Sequence, residues 1–144
     1  MVLRRESHET FKERGKRDML EWKDIAGYEG RYQVSNTGLV KSCEHYHPTV
    51  IKGTPVLRHR KEQLLKQWKR SRYLIVDLWR DGERDVRSVH ILVYEAFIGP
   101  VKEGYVVHHK DLNRFNNCVS NLQQLSYLEH NRLHTTLRKE TEER

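Results

Sequence analysis

The feature that most constrains this fold is a pair of adjacent histidines, His108 and His109, at the end of a short apolar run, 104–107. Such a run is typical of a strand, and successive side chains of a strand point to opposite faces. The two imidazoles are therefore predicted to lie on opposite sides of the strand. In that arrangement one imidazole can hold a metal ion while the other acts on a water molecule.

A helix is predicted downstream of this pair. Ser126 followed three residues later by Glu129 is a capping box ahead of a good helix-forming run, 127–138. His130 and His134 are four residues apart, so on such a helix they lie on one face, about one turn apart. Two imidazoles so placed can bind one cation.

The segment between the pair and the helix completes a local order of strand, loop, strand and helix. Residues 110–120 are rich in Asp, Asn and Arg, which is typical of a loop, and 122–125 has the composition of a short strand. This order, with four histidines spaced around Asn121, is typical of a metal-dependent nuclease site.

The stretch 106–134, VVHHKDLNRFNNCVSNLQQLSYLEHNRLH, resembles the HNH endonucleases, whose catalytic unit is a ββα-metal finger. The resemblance implies that His108 is a metal ligand and that His109 is the general base. A neutral imidazole suits that role because the pKa of a histidine side chain in water, about 6.5, is close to neutral pH. The resemblance also implies that Asn121 pins the loop and orients the base through backbone hydrogen bonds.

The resemblance further implies metal ligands on the helix: His130 and, as in members with three histidine ligands, His134. Three imidazoles with an open fourth position suit zinc, nickel, manganese or cobalt. Members of the family often work with magnesium or manganese. We therefore expect one divalent ion, Mg²⁺, Mn²⁺, Zn²⁺ or Ni²⁺, and the sequence does not choose among them.

Two more segments are similar to parts of such nucleases. Residues 21–42, EWKDIAGYEGRYQVSNTGLVKS, look like the small modular motif that often precedes HNH domains in phage and intron-encoded homing nucleases. Residues 73–99 are similar to the segment that leads into the catalytic finger. The resemblance implies a phage or homing-type origin.

One position departs from the family pattern. Relatives usually carry Gly after the His-Lys-Asp stretch, where this chain has Leu112. A leucine tolerates a positive φ poorly, so we expect the loop to take a different path here.

Positive charge is concentrated in one segment. The chain carries a net charge of +7, and residues 50–76 contain eight Lys and Arg side chains against Glu62 alone. Charge concentrated in this way suits a phosphate backbone, so we predict that this segment contacts DNA. A solvated, mobile linker is the alternative interpretation. The predicted DNA-contacting residues, including two in the loop after the histidine pair, are Arg58, Arg60, Lys61, Lys66, Lys69, Arg70, Arg72, Lys110 and Arg114.

The sequence argues against a membrane-spanning protein, a secreted protein and a cysteine-rich zinc protein. No apolar run approaches the roughly 18 residues of a membrane span, and no secretory signal opens the chain. The expected location is the cytoplasm of a bacterial or phage-infected host cell. Cys43 and Cys118 are too few and too isolated for a cysteine-rich zinc site, and both are interpreted as structural or incidental.

These patterns predict a small α+β protein with a C-terminal ββα-metal finger. The predicted organisation is a charged arm over 1–20, a small basic DNA-contacting module over 21–70 and an HNH nuclease domain over 71–144, with the finger at about 104–138. Within the last domain, a hairpin that turns at Asp81 and Gly82 and a helix over 91–97 are expected.

The predicted function is metal-dependent hydrolysis of double-stranded DNA by a monomer or weak homodimer. A small protein with one active site is expected to nick one strand, and double-strand cleavage would need a dimer or two successive events. Two alternatives stay open. The first is a DNA-binding module that has lost cleavage, which the complete set of five site residues argues against. The second is an RNA-directed nuclease, which would share every catalytic residue.

Overall fold

The computed structural model describes residues 19–142, in which eleven strands and two α-helices follow one another along the chain. The predicted charged arm lies outside the described residues, except for Met19 and Leu20. The elements are β1 Trp22–Asp24, β2 Tyr32–Ser35, β3 Val40–Ser42, β4 His45–Ile51, β5 Thr54–Arg60, β6 Gln63–Leu64, β7 Trp68–Arg70, β8 Tyr73–Arg80, β9 Glu83–Ser88, α1 Val89–Phe97, β10 Tyr105–His109, β11 Leu122–Ser126 and α2 Tyr127–Glu142.

The strands form four small antiparallel sheets. β1, β2, β3 and β6 lie in this order in one sheet, and β7, β8 and β9 form another. The remaining two sheets are the hairpins β4–β5 and β10–β11. The predicted turn at Asp81 and Gly82 is confirmed: it joins β8 to β9, and both residues have positive φ, 50° and 79°. Two positive φ angles in succession match the right-handed twist of the flanking strands.

The basic segment is built into these sheets. Residues 50–76 include the end of β4, all of β5, β6 and β7 and the start of β8, and each of these strands is paired with a neighbouring strand. The alternative interpretation of a mobile linker is therefore wrong. Side chains of the β4–β5 hairpin are mostly exposed, so this hairpin presents its charges to solvent.

Helix α1 forms the centre of the hydrophobic core. The predicted helix is confirmed and begins two residues earlier than expected, at Val89. Its side chains Val89, Leu92 and Val93 are at most 2% exposed, and the helix contacts strands of three sheets, β1 and β2, β8 and β9, and β10 and β11. Twelve buried apolar residues, the first of which is Ile25 and the last Leu122, form one continuous core. The N-terminal sheet and the C-terminal finger are thus packed on the same helix.

The C-terminal elements form the predicted ββα unit. β10 pairs with β11 so that His109 lies opposite Leu122, and α2 follows directly. The capping box is present in both directions: Ser126 N donates to Glu129 Oε2 at 3.0 Å, and Glu129 N donates to Ser126 Oγ at 3.2 Å. The α+β class with a C-terminal ββα finger is confirmed. Within the described range, no helix is both long and apolar enough to cross a membrane.

Candidate active site

Strand β10 sends its two histidines to opposite faces, as predicted. His108 and His109 are 5% and 3% exposed. The ring of His108 lies 5.5 Å from that of His130 on α2, measured between centroids. The ring of His109 instead lies 5.2 Å from that of His90 on α1. One strand therefore contributes to two different environments.

Three histidines converge on one face of the finger. The nearest ring nitrogens of His108, His130 and His134 all lie within 4.8 Å of one another, and Nε2 of His130 is 3.1 Å from Nε2 of His134. Ligand nitrogens about 2.0–2.1 Å from a metal lie about 2.9–3.4 Å apart at usual coordination angles. The spacing of this pair and the all-imidazole donor set fit a divalent transition-metal ion.

The environment of His108 and of His130 favours the neutral form of each imidazole. Burial lowers the pKa of His108, and the neighbouring His130 and His134 lower it further. Burial also lowers the pKa of His130, and the nearby His134 and Arg114 lower it further. Neutral imidazoles have the lone pairs that a metal ligand needs, so these two side chains are available to a cation at neutral pH.

His109 is held by an asparagine that the sequence analysis did not single out. Nε2 of His109 is 2.8 Å from Oδ1 of Asn117, a side chain that is 3% exposed. An amide oxygen only accepts hydrogen bonds, so Nε2 must donate, and the proton of the neutral ring is on Nε2. Nδ1 then carries the lone pair of the neutral ring.

Asn121 pins the loop between the two strands of the finger. Its Oδ1 accepts from Asp111 N at 3.0 Å, and its Nδ2 donates to Asp111 Oδ1 and to Asn116 O, both at 2.9 Å. Its backbone carbonyl accepts from Lys110 N at 2.8 Å, next to His109. Hydrogen bonds from Asn116, then from the backbone of Asn113 and from Asn121, lower the pKa of Asp111. The loop is therefore a network of polar groups around an ionised carboxylate.

Leu112 adopts the backbone conformation that a glycine would take in this loop. Its φ is 64°, and its side chain is 49% exposed. The left-handed region costs a β-carbon-bearing residue about 1–2 kcal/mol, and Asn tolerates it better than Leu. The sequence departure thus puts strain into the loop.

We expect Leu112→Asn to raise the free energy of unfolding by about 0.5–1 kcal/mol relative to Leu112→Ala, because Asn relieves part of the strain. Leu112→Ala is the matched control, since it removes the leucine side chain and keeps the strain. Urea unfolding at constant m-value measures the difference. Equal midpoints for the two variants would contradict this explanation.

An aromatic stack flanks His109 on the side of α1. The ring of Tyr73 lies 4.8 Å from that of His90 and 6.3 Å from that of His109. Burial lowers the pKa of His90 to about 4, and the nearby His109 adds to this effect. His90 is thus neutral in the folded protein near neutral pH and packs as an uncharged aromatic side chain.

This burial predicts a pH-dependent stability. The unfolded chain binds a proton on His90 below an ordinary pKa of about 6.5, and the folded protein does so only below about 4. Stability from this residue is therefore fully present above about pH 6.5 and is lost as pH falls to about 4, by about 3 kcal/mol. We expect His90→Phe to be more stable relative to wild type at pH 4 than at pH 7 by about this amount. Denaturant unfolding at both pH values tests it, and a pH-independent difference would contradict it.

The predicted DNA-contacting residues occupy two places. Arg114 is half-buried and lines a cavity of about 260 Å³ together with His108, His109, His130 and His134, and its guanidinium lies 5.5 Å from the centre of the Tyr73 ring. Nζ of Lys69 lies 4.7 Å from the centre of the Phe115 ring, which connects β7 to the finger loop. Arg70, Arg72 and Lys110 are exposed on β7, on the turn after it and on the finger loop.

Three of the other basic residues line a second, wider groove of about 750 Å³. Arg60, Lys61 and Lys66 line it together with the half-exposed Trp68 and Trp79. Arg58 is exposed on β5. The structure therefore does not bring all the predicted basic residues to the histidine cluster.

Comparison with protein families identifies both halves of the chain. A NUMOD4 motif matches residues 21–79, and an HNH endonuclease domain matches residues 87–132. The chain therefore contains an HNH endonuclease domain preceded by a NUMOD4 motif. Its HNH domain, as matched, contains His108, His109 and His130, whereas His134 lies two residues beyond the matched range. The inclusion of His134 in the cluster therefore rests on the distances between ring nitrogens and not on the match to the HNH domain.

Two curated relatives of this chain come from viruses. The DNA endonuclease I-HmuI of Bacillus phage SP01 is 41% identical over 104 residues, which are 72% of this chain and 51% of that protein. The uncharacterized HNH endonuclease L245 of Acanthamoeba polyphaga mimivirus is 31% identical over 116 residues, which are 81% of this chain and 30% of that protein. The chain thus spans about half or less of the length of these curated relatives.

A solved structure shares the fold. The HNH homing endonuclease I-HmuI, whose structure describes DNA binding and cleavage, superimposes with a TM-score of 0.63 at 37% identity. The match covers 83% of this chain and 59% of that chain. The resemblance to the HNH endonucleases that the sequence showed is confirmed.

Proposed function

We propose that this chain is a metal-dependent endonuclease that hydrolyses phosphodiester bonds of double-stranded DNA, of the homing type that phages encode. One observation carries the proposal. His109 and the cluster of His108, His130 and His134 line the same small cavity, although they lie on opposite faces of β10. A general base and a cation site that open on one cavity are what hydrolysis of a phosphodiester requires.

His109 is the proposed general base. Its Nδ1 accepts a proton from a water molecule, whose oxygen forms a bond to phosphorus. The bond from phosphorus to the 3′ oxygen breaks, and the leaving oxygen takes a proton from solvent. The products are a 5′-phosphate and a 3′-hydroxyl end. The Nε2–H tautomer, which Asn117 favours, leaves Nδ1 free for this step.

His108, His130 and His134 are the proposed ligands of one divalent ion, Mg²⁺, Mn²⁺, Zn²⁺ or Ni²⁺. Such an ion, when bound, would supply positive charge that stabilises the negative charge developing on the phosphate and on the leaving oxygen. Arg114 lines the same cavity and can hold the phosphate through charge-assisted hydrogen bonds. Asn121 keeps the loop between these groups in one conformation.

The basic residues on β5 and β7 and on the loops beside them are the proposed contacts to the DNA backbone. They are exposed, and Lys69 joins this surface to the finger through Phe115. Contacts of this kind position a duplex and make its binding dependent on salt. We place the protein in a bacterial or phage-infected cell, by analogy with the phage relative, and as a monomer or weak homodimer that nicks one strand at a time.

Plasmid cleavage tests the proposal. Purified protein is incubated with supercoiled plasmid in EDTA or with each of the four ions, and strand-resolved gels separate nicks from double-strand breaks. Nicking that needs a divalent ion supports the proposal. Salt-sensitive DNA binding without cleavage under any ion would instead identify a DNA-binding module, and cleavage of RNA alone would identify an RNA-directed nuclease.

A further inference from the structure

The turn between β2 and β3 touches the residue that holds the proposed base. A β-carbon added to Gly38 would lie 2.8 Å from Cβ of Asn117 and 3.4 Å from its carbonyl oxygen. Real β-carbons do not come this close to another atom, so a glycine is needed here. Gly38 also has a φ of +93°, which other residues rarely adopt. The N-terminal motif and the catalytic finger therefore meet at a point where only glycine fits.

Hydrogen bonds hold this turn in one conformation. Ser35 is fully buried, and its Oγ accepts from Thr37 N at 3.2 Å and from Leu39 N at 2.9 Å. Gly38 N donates to Ser35 O at 3.2 Å, and the carbonyl of Gly38 accepts from Gln67 Nε2 at 2.6 Å. Three hydrogen bonds to Ser35 and one from Gln67 thus stabilise the backbone between β2 and β3.

The segment that carries Asn117 is held from two sides. On the finger side, Asn121 Nδ2 donates to the carbonyl of Asn116 at 2.9 Å. On the opposite side, Val119 N donates to the carbonyl of Asn36 at 2.8 Å. Asn36 is itself tied to the chain before β1, since its Oδ1 accepts from Glu21 N at 3.0 Å. Asn117 thus lies between the finger network and the Ser35–Gly38 turn.

We propose that Asn117 is a positioning residue for His109, and that the Ser35–Gly38 turn of the N-terminal motif holds Asn117 in place. Asn117 Oδ1 keeps the His109 proton on Nε2 and fixes the plane of the ring. The turn acts through contact with Asn117 and does not touch DNA in this role. The N-terminal motif is thereby part of the catalytic unit, in addition to any contact with DNA that it makes. This inference rests on the proposed function only for the consequence it has for the cleavage rate.

The first test measures the tautomer of His109 and does not depend on cleavage. Long-range ¹H–¹⁵N NMR on histidine-labelled protein in EDTA, at about pH 8.5, observes neutral imidazoles because their ordinary pKa is about 6.5. We expect the Nε2–H form alone in wild type and in Asn117→Asp, which keeps an acceptor oxygen. Asn117→Ala and Gly38→Ala should show a mixture of both forms. An unchanged Nε2–H form in Asn117→Ala would overturn the inference.

The second test separates rate from binding. Single-turnover cleavage should fall about 10- to 100-fold in Asn117→Ala and Gly38→Ala, the effect of misplacing a catalytic group by about 1 Å, with unchanged DNA affinity. Asn117→Asp should restore much of the lost rate. Gly27→Ala is the matched control for Gly38→Ala, because Gly27 has a similar φ of +86° with nothing within 4 Å of an added β-carbon. We expect it to cleave at the wild-type rate.

The outcomes keep the two proposals apart. Wild-type rates in Asn117→Ala, with wild type itself active, would overturn the positioning role and leave the nuclease standing. An inactive wild type whose tautomer is locked by Asn117 would overturn the nuclease and leave the positioning role standing. If Gly38→Ala does not fold, the two Asn117 variants still decide whether His109 is held by this contact. Equal losses in Gly27→Ala and Gly38→Ala would overturn the role of the turn.

Discussion

His109→Ala is expected to lower the single-turnover rate of DNA cleavage by about 10²- to 10⁴-fold, the usual contribution of a general base. The reason is that the Nδ1 lone pair, left free by the bond from Nε2 to Asn117, would be removed. Metal binding should persist, because His108, His130 and His134 form their cluster on the other face of β10. Gels of radiolabelled duplex at saturating protein measure the rate.

His109 is 3% exposed, so its replacement by alanine also leaves a space in the core. His109→Gln is therefore a second variant: it fills more of the space but supplies no base. Thermal unfolding of both variants shows whether the fold persists. Wild-type cleavage by a folded His109→Gln protein would remove His109 from its proposed role.

His130→Ala is expected to weaken binding of a divalent transition-metal ion by more than about 100-fold, because losing even an outer-shell partner of a ligand costs about 10- to 100-fold. Cleavage should be lost together with the metal. Calorimetric titration of the protein with Zn²⁺ or Ni²⁺ measures the affinity. Asn131→Ala is the matched control, since Asn131 is the next residue of α2 and is exposed outside the cluster.

The same titration has a predicted pH dependence. Protons compete with metal for imidazole lone pairs, so affinity falls as pH falls. Burial and neighbouring histidines lower the pKa of His108 and His130, so the loss of metal affinity should begin below the ordinary value of about 6.5.

Metal bound as tightly by His130→Ala as by wild type would exclude His130 as a ligand.

The sequence was sufficient to predict those features of the finger that depend on nearby residues. The capping box of Ser126 and Glu129 needs only three residues of spacing, and both of its hydrogen bonds are present. The opposite directions of His108 and His109 follow from the alternation of any strand. The metal and base roles of these residues stay predictions until they are measured.

Two features of the loop between β10 and β11 could not be predicted from the sequence. Asn113, Asn116 and Asn117 lie in the same short polar loop, and nothing in the sequence marks Asn117 as the one whose side chain forms a hydrogen bond with His109. The φ of 64° at Leu112 was also not foreseen, because the sequence favoured a different path for the loop. The hydrogen bonds of Asn121 and Asp111 stabilise that conformation despite its strain.

The sequence by itself determined the order of the ββα finger, the spacing of its histidines and the concentration of positive charge between residues 50 and 76. Each of these depends on residues that are close together in the chain. Only the tertiary structure decided which distant residues complete the site. Gly38, Tyr73 and His90 reach His109 or its partner Asn117 because β2, β8, β10 and β11 all pack on α1. Contacts between segments so far apart leave no periodic pattern in the chain, since packing around a shared core creates them.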